Sequence, residues 1–204
     1  MNYKFRNIEI QDIDNVKNFT DKWIGSNYFT KAELRSALIL GVQDEHNASF
    51  LALDNEDQII GIRITYLPGE WIQDEHLIQY VTPHEWKEPK SRVAYFKSHF
   101  VTEKYQHQGI GRELNLRSLE VLSKLGVLAV ACHAWVESPA NSSIKHLEKM
   151  KFEPVATHKN FWFFHNYECI KCAPKNCECS AQEMIYYLPI MDDEEEEEII
   201  LGRR

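Results

Sequence analysis

The sequence predicts an α/β fold, a mixed, twisted sheet of about six or seven strands flanked by helices. Three stretches carry that prediction. "VAYFKSHFV" is a strand-like run that passes through a glycine-bearing turn, "TEKYQHQGIG", into a helix whose Ile110, Leu114, Ser118, Val121, Leu122 and Leu125 share one face. "SFLALDNEDQIIGIRITYL" sets two apolar runs around the polar turn "DNEDQ", a hairpin pattern. "VLAVACHAWV" is almost continuously apolar, as expected of a central strand covered on both faces.

The remaining elements follow in chain order. "YKFRNIEI" reads as a first strand, and Asp12 or Asp14 begins a helix through "NVKNFTDKWI". A second helix runs from about Thr30 to Leu40, with Thr30 and Glu33 in a capping-box pattern. Residues 68–91 are polar, aromatic and broken by prolines, and read as a long irregular connection. "NSSIKHLEKM" is helical in pattern. "EPVATHKNFWFFHNYE" and "AQEMIYYLPI" read as two closing strands. Phe161 and Phe163 are expected in the core, while Glu70, Trp71 and Trp162 are undecided between core and an acceptor cleft.

At 204 residues the chain is long enough for one principal domain with its own core. No apolar run approaches the length of a membrane span, and the N-terminus lacks the apolar stretch of a signal peptide. A soluble, cytoplasmic protein with no membrane partner is expected. The net charge of −8 is concentrated in "DDEEEEE", Asp192 to Glu198, which leaves a body of about −3 once Arg203 and Arg204 are counted. Residues 191–204 therefore read as an acidic, disordered tail on a domain spanning 1–190. No basic cluster suggests nucleic-acid binding.

A strand, a glycine turn and a helix in succession make an anion site. The first helical N–H groups have no intrahelical partner, and glycine lets a phosphate come close. Two common phosphate loops do not fit. No Gly-Lys-Ser/Thr follows, and Leu114 stands where a dinucleotide fingerprint starting at Gly109 needs a small residue. What is left, Gln106-x-x-Gly109-x-Gly111, resembles the acyl-CoA pyrophosphate loop of the GCN5-related N-acetyltransferase (GNAT) superfamily. "HFVTEKYQHQGIGREL" resembles that superfamily's strand-loop-helix unit, "NSSIKHLEKMKFEPV" its asparagine loop and following helix, and the hairpin its second and third strands.

The resemblance implies a GNAT-type acyl-CoA N-acyltransferase fold over most of Met1 to Ile190, with acetyl-CoA as cosubstrate and a primary amine as acceptor. It implies that backbone groups around His107, Gln108, Gly109, Ile110, Gly111 and Arg112 hold the pyrophosphate behind Gln106, with both glycines permitting the approach. Phe100 and Val101 would present backbone groups to the thioester where the strand bulges and splays from its neighbour. Asn141 would contact the cofactor arm. His99 is the first candidate for the base that deprotonates the amine, with His133 and Glu137 as rivals. Period-2 alternation puts Lys97, His99 and Val101 on one face, an order that a bulge would change. Leu147 stands where many family members carry a tyrosine that protonates the leaving thiolate, with His146 as a substitute only in a shifted register. A non-catalytic acyl-CoA-binding or protein-interaction module with the same fold is the alternative. The oligomeric state stays open, a homodimer included.

"CIKCAPKNCEC" brings Cys169, Cys172, Cys177 and Cys179 into eleven residues between the last two predicted strands. Four thiolates suit a structural zinc ion with no open coordination position, and Pro174 and Asn176 favour the turn that folds one pair onto the other. Reduced thiols in a hairpin loop, or a redox or metal-responsive role, are the alternatives. Cys132, alone in the apolar strand, reads as a small core residue.

Overall fold

The computed structural model describes residues 3–165 and 167–189. The acidic stretch lies outside the described residues. Seven strands form one sheet: β1 (Lys4–Asn7), β2 (Phe50–Leu53), β3 (Ile59–Tyr66), β4 (Val93–Val101), β5 (Ala129–Trp135), β6 (Glu153–His158) and β7 (Ala181–Tyr187). Their order is β1-β2-β3-β4-β5-β7-β6. The β4–β5 pair is parallel and the other pairs are antiparallel, so the sheet is mixed.

Helices α1 (Ile13–Trp23) and α2 (Lys31–Ile39) pack on one face. Val16, Phe19, Leu34 and Leu38 meet Ile62, Ile64, Tyr95 and Ala131 there. A short helix, α3 (Glu75–Gln79), lies in the connection before β4. On the other face α4 (Ile110–Lys124) and α5 (Ser142–Lys149) pack against Ala94, Phe96, Val130 and Cys132 through Leu119, Leu122 and Leu147, and Ile110 and Leu114 meet Ala52, Ile60 and Val101. We call these the α1 face and the α4 face.

The local sequence explains most of these elements. Thr30 and Glu33 close a reciprocal capping box on α2, at 3.1 and 2.7 Å. Asp12 precedes α1, but its carboxylate accepts from Arg6 at 2.6 and 2.7 Å and from the Glu9 amide, so it ties the helix start to β1.

Two expectations are corrected. Residues 68–91 are ordered into turns of 3-10 helix around α3, whose Asp74 cap accepts from the His76 and Leu77 amides. Trp71 there is a core residue, its indole donating to the Val93 carbonyl at 2.7 Å. The sixth strand is shorter than "EPVATHKNFWFFHNYE": it stops at His158, Asn160 takes a left-handed φ of 54°, and the Phe161 amide bonds to Cys179 O. Phe161 is buried, whereas Phe163 is only half-buried and Phe164 is exposed.

Candidate active site

The pairing of β4 with β5 runs only from Val93–Ala129 to Phe96–Cys132. Beyond Phe96 the register of β4 against β3 shifts, with Ile64 opposite Ser98 and Thr65 opposite Phe96, so Lys97 is an extra, bulged residue. The two strands part there, each held by its outer neighbour alone. The gap between them is the cleft that the resemblance implies.

The bulge corrects the expected alternation. Lys97 reaches Asp74 at 3.4 Å and Ser98 Oγ meets Tyr28 OH at 3.0 Å, both on the α1 face. His99 follows on the α4 face, opposite Arg63. Backbone direction changes as well. The Thr102 amide bonds to Ile60 O at 2.9 Å, so ladder alternation turns Phe100 toward Ile62 and turns the N–H and C=O of His99 and Val101 into the gap. The exposed backbone groups are therefore those of His99 and Val101, and Phe100 contributes its ring, which packs on Phe19 and Trp23.

At the open end of the gap lies the glycine turn. His107 and Gly109 have left-handed φ values of 61° and 84°. The first intrahelical bond of α4 runs from Glu113 N to Gly109 O, so the amides of Ile110, Gly111 and Arg112 precede it, at the positive end of the helix dipole. The two glycines do different work. A Cβ on Gly109 would meet nothing within 4 Å, which leaves that side of the loop open. A Cβ on Gly111 would stand 3.0 Å from His99 Cε1, so Gly111 lets the helix close onto β4 and does not serve a ligand's approach. Gln106 turns inward and donates to Val101 O at 2.9 Å, fastening the loop to the strand end. Gln108 donates to Lys104 O and accepts from Tyr3.

His99 belongs to a polar cluster on the α4 face in which Arg63 and Asn115 are buried and His99 and His146 half-buried. Arg63, 2% exposed, donates through Nε to Asn115 Oδ1 at 2.9 Å and lies over the Phe96 ring at 4.1 Å. Burial pushes its guanidinium down to about 9. Arginine only donates, so Asn115 must present its oxygen there and its NH2 to His146 Nε2, 3.1 Å away. His146 is thereby an acceptor at Nε2 and neutral, and burial, with Arg63 nearby, pushes it down to about 4. His99 stacks on His146, and burial followed by Arg63 holds it well below the usual imidazole range. Its Nε2 has no hydrogen-bond partner. As a base His99 is poorly placed, because its ring lies under Gly111 on the α4 face.

His133, on the α1 face just past the last β4–β5 pair, meets Tyr80 O through Nε2 and Tyr95 OH through Nδ1, both at 2.7 Å. The carbonyl can only accept, so Nε2 carries the proton and Tyr95 donates to Nδ1. Burial pushes His133 down to about 3. Behind it, the fully buried Glu183 accepts from Thr82 N and Oγ1, Trp86 Nε1 and His158 Nε2, at 2.7 to 3.0 Å. Burial works against its charge, but the His158 and Thr82 bonds hold it below the usual carboxylate range. At Asp74 burial likewise works against the charge, but Lys97 and the Leu77 and His76 amides together hold it below the usual carboxylate range, and Lys97 adds to burial in lowering His76 and, to about 4, His165.

Glu137 lies away from this group, its carboxylate accepting from the Ser180 amide at 3.0 Å. Asn141, exposed and left-handed at φ 56°, precedes α5 without capping it. Leu147 is buried in the core, and His146, not Leu147, faces Asn115. Sequence reasoning missed Arg63, Asn115, Tyr95, Lys97, His158 and Glu183. An arginine and a glutamate inside the apolar runs "IIGIRITYL" and "AQEMIYYL" were the visible signals, since a charge there must find a partner.

The sulfur atoms of Cys169, Cys172, Cys177 and Cys179 all lie within 4.8 Å of one another, and no disulfide joins them. Cys132 is a buried core residue, its thiol pushed up to about 12 by burial.

The family model described as Acetyltransferase (GNAT) family matches residues 13–152. The chain belongs to the GNAT family. It is an acetyl-CoA-dependent acyltransferase. The match ends before β6, so the cysteine loop of this GNAT protein lies beyond it. No curated protein sequence matches the chain. Solved GNAT structures share the fold at low identity. The ribosomal-protein-S18-alanine N-acetyltransferase from Escherichia coli has a TM-score of 0.62 at 16% identity, covering 94% of this chain and 97% of that one. Arabidopsis thaliana NAA60 in complex with acetyl-CoA has a TM-score of 0.64 at 16% identity, covering 92% and 99%. Arabidopsis thaliana Naa50 with the bisubstrate analogue CoA-Ac-MVNAL has a TM-score of 0.62 at 16% identity, covering 92% and 100%. Among the described residues no helix is long and apolar enough to cross a membrane.

Proposed function

We propose that this GNAT protein transfers an acetyl group from acetyl-CoA to a primary amine by direct attack in a ternary complex. The observation that carries the reading is one continuous polar track. It leads from the α4 amides of Ile110, Gly111 and Arg112 to the gap-facing backbone of Val101 and His99, and ends where β4 leaves β5. The pyrophosphate would lie on those amides, and the pantetheine arm would add itself as a strand along His99 and Val101. Asn141 is retained as a contact for that arm. Backbone donors held in place would receive the oxyanion of the tetrahedral intermediate without reorganising.

The cofactor's diphosphate end takes the α4 side, so the acceptor enters from the α1 face. Among His99, His133 and Glu137, only His133 lies on that face at the closed end of the gap. With Tyr95 it forms the pair we assign to removal of the amine proton. The attacking nitrogen bonds to the acetyl carbon, its proton passes to Tyr95 Oη as Tyr95 hands its own proton to His133 Nδ1, and the carbon–sulfur bond breaks to release coenzyme A thiolate. Leu147 offers no proton for that thiolate, so solvent supplies it. The comparison structures include a CoA-peptide bisubstrate analogue, which makes a peptide amine the acceptor to try first. The proposal also includes a structural zinc ion at Cys169, Cys172, Cys177 and Cys179.

Calorimetric titration with acetyl-CoA tests the reading, beside a Gly109→Trp variant shown to be folded. Micromolar or tighter binding by the native protein alone is expected, because the indole would fill the open side of the loop. Absence of binding by the native protein would overturn the proposal.

A further inference from the structure

Two segments distant in sequence are fastened together on the α1 face. Gly25–Ser26, directly after α1, pairs antiparallel with Glu168–Cys169, and Cys169 stands opposite Gly25. A Cβ on Gly25 would fall 2.3 Å from Glu168 O and 2.9 Å from the Tyr167 ring, so this closeness requires glycine. From the cysteine loop a chain of contacts leads to the reaction cleft. Tyr167 OH donates to Cys177 Sγ at 3.7 Å, and its ring meets Tyr28 edge-on at 5.4 Å. Tyr28 OH meets Ser98 Oγ at 3.0 Å, and Ser98 adjoins the Lys97 bulge where β4 leaves β5.

The donor set fits zinc. Cys172 and Cys179 have sulfurs 3.6 Å apart. A disulfide needs about 2.05 Å, whereas two thiolates on a tetrahedral ion with Zn–S of about 2.3 Å stand about 3.8 Å apart. The residues of Cys169, Cys177 and Cys179 are buried, and Trp135, Trp162 and Tyr167 pack around the cluster. Four sulfurs without a carboxylate or imidazole among them make a soft, closed site. A thiolate fixed on a metal also accepts a stronger hydrogen bond than a thiol, which fixes Tyr167 in turn.

We infer that the zinc ion held by Cys169, Cys172, Cys177 and Cys179 locks the acceptor wall through Tyr167, Tyr28 and Ser98, so that metal occupancy sets acceptor affinity and leaves acetyl-CoA affinity unchanged. The separation follows from the two faces: the α4 loop lies on the face opposite this chain of contacts. The acceptor half of the inference rests on the proposed acetyl transfer, and the metal half does not.

The experiment uses the full chain purified under reducing conditions without added metal. Elemental analysis is expected to find one zinc per chain. Removal of zinc by a chelator in the presence of a thiol reductant is expected to speed hydrogen exchange at residues 25–28 and 167–179, with the α4 amides unchanged, and readdition of zinc should reverse it. Tyr167→Phe keeps the ring and removes the sulfur contact, and is expected to lower zinc affinity about tenfold in a chelator competition. Stripped protein should keep its acetyl-CoA affinity within about twofold while KM for a peptide with a free N-terminal amine rises at little cost in kcat.

Chains that contain no zinc and take none up would overturn the site. Zinc whose removal leaves exchange at residues 25–28 unaltered would overturn the coupling. Failure of acetyl-CoA to bind the zinc-loaded protein would sink the acetyl-transfer reading instead, while zinc content and exchange still decide the clip. Cys172→Ser, at the least buried of the four ligands, provides a second test: it should abolish stoichiometric zinc if the set is tetrahedral.

Discussion

The proposed cofactor side and the proposed acceptor side of the cleft are built by opposite means. The cofactor side comes from one contiguous stretch, His99 to Arg112, in which a strand end, a loop and a helix start follow each other directly. The acceptor side is assembled from segments far apart in sequence: Tyr28 after α1, Asp74 and Tyr80 around α3, Lys97 on the bulge, His133 on β5 and the turn after β6. Contiguous construction makes a site readable from a motif. Dispersed construction lets the acceptor wall change without disturbing the cofactor loop.

The sharpest way to break this comparison is at His133. His133→Gln and Tyr95→Phe are each expected to lower kcat about a hundredfold or more, in the range of lost acid–base assistance, with the acetyl-CoA Kd unchanged. Steady-state kinetics beside calorimetry check this. An unaltered kcat would move the base elsewhere on the α1 face.

The next largest effect concerns stability on the α4 face. Asn115→Leu leaves the buried Arg63 guanidinium without its carboxamide acceptor and is expected to cost about 3 kcal/mol by denaturant unfolding. Adding Arg63→Met should recover much of that loss, because an apolar pair replaces an orphaned charge. A single variant as stable as the native protein would show that Ser98 O, 3.4 Å from Arg63, is a sufficient partner.

Acid sensitivity separates the faces more finely. The imidazoles of His133 and His165 on the α1 face and His99 and His146 on the α4 face are all held below their ordinary value, chiefly by burial. The unfolded chain then binds more protons than the folded one once pH falls below about 6.5, so stability is full above that pH and declines below it, by up to about 1.4 kcal/mol per pH unit for each histidine. The depressed carboxyls of Glu183 and Asp12 add a further loss as pH falls through the carboxylate range. Thermal unfolding between pH 7.5 and 4.5 checks this, and His146→Gln should flatten the first part of the decline. A melting temperature independent of pH from 7 to 5 would refute it.

The smallest expected effects lie within the glycine turn before α4. Gly111→Ala pushes a methyl against His99 at 3.0 Å and is expected to cost about 1 to 3 kcal/mol. Gly109→Ala meets no atom, yet must hold a left-handed φ of 84°, a cost of about 1 kcal/mol. Equal losses at both sites would show that the glycines share one role.

Most strands, the longer helices and the glycine turn before α4 were legible because each rests on local rules. Apolar runs marked β2 to β5, Thr30 and Glu33 marked α2, and Gln106, Gly109 and Gly111 marked the turn. The ordering of 68–91 was not legible, because Trp71 and Trp86 are held there by Val93 O and by Glu183 from remote strands. The four cysteines were legible as a donor set, since their spacing is local.

The amino-acid sequence by itself determined the order of most elements and the glycine turn at the start of α4, which follow from backbone propensities and hydrogen-bonding needs within a few residues, and the family, through the motif those residues carry. Tertiary structure decided which face each candidate histidine occupies. One bulged residue at Lys97 reverses the alternation after it, and a one-residue shift in a strand exchanges the two faces of the sheet. Burial then holds the imidazoles of His99, His133 and His146 below their ordinary value, because desolvation depends on what the folded chain packs around each ring and not on its neighbours in sequence.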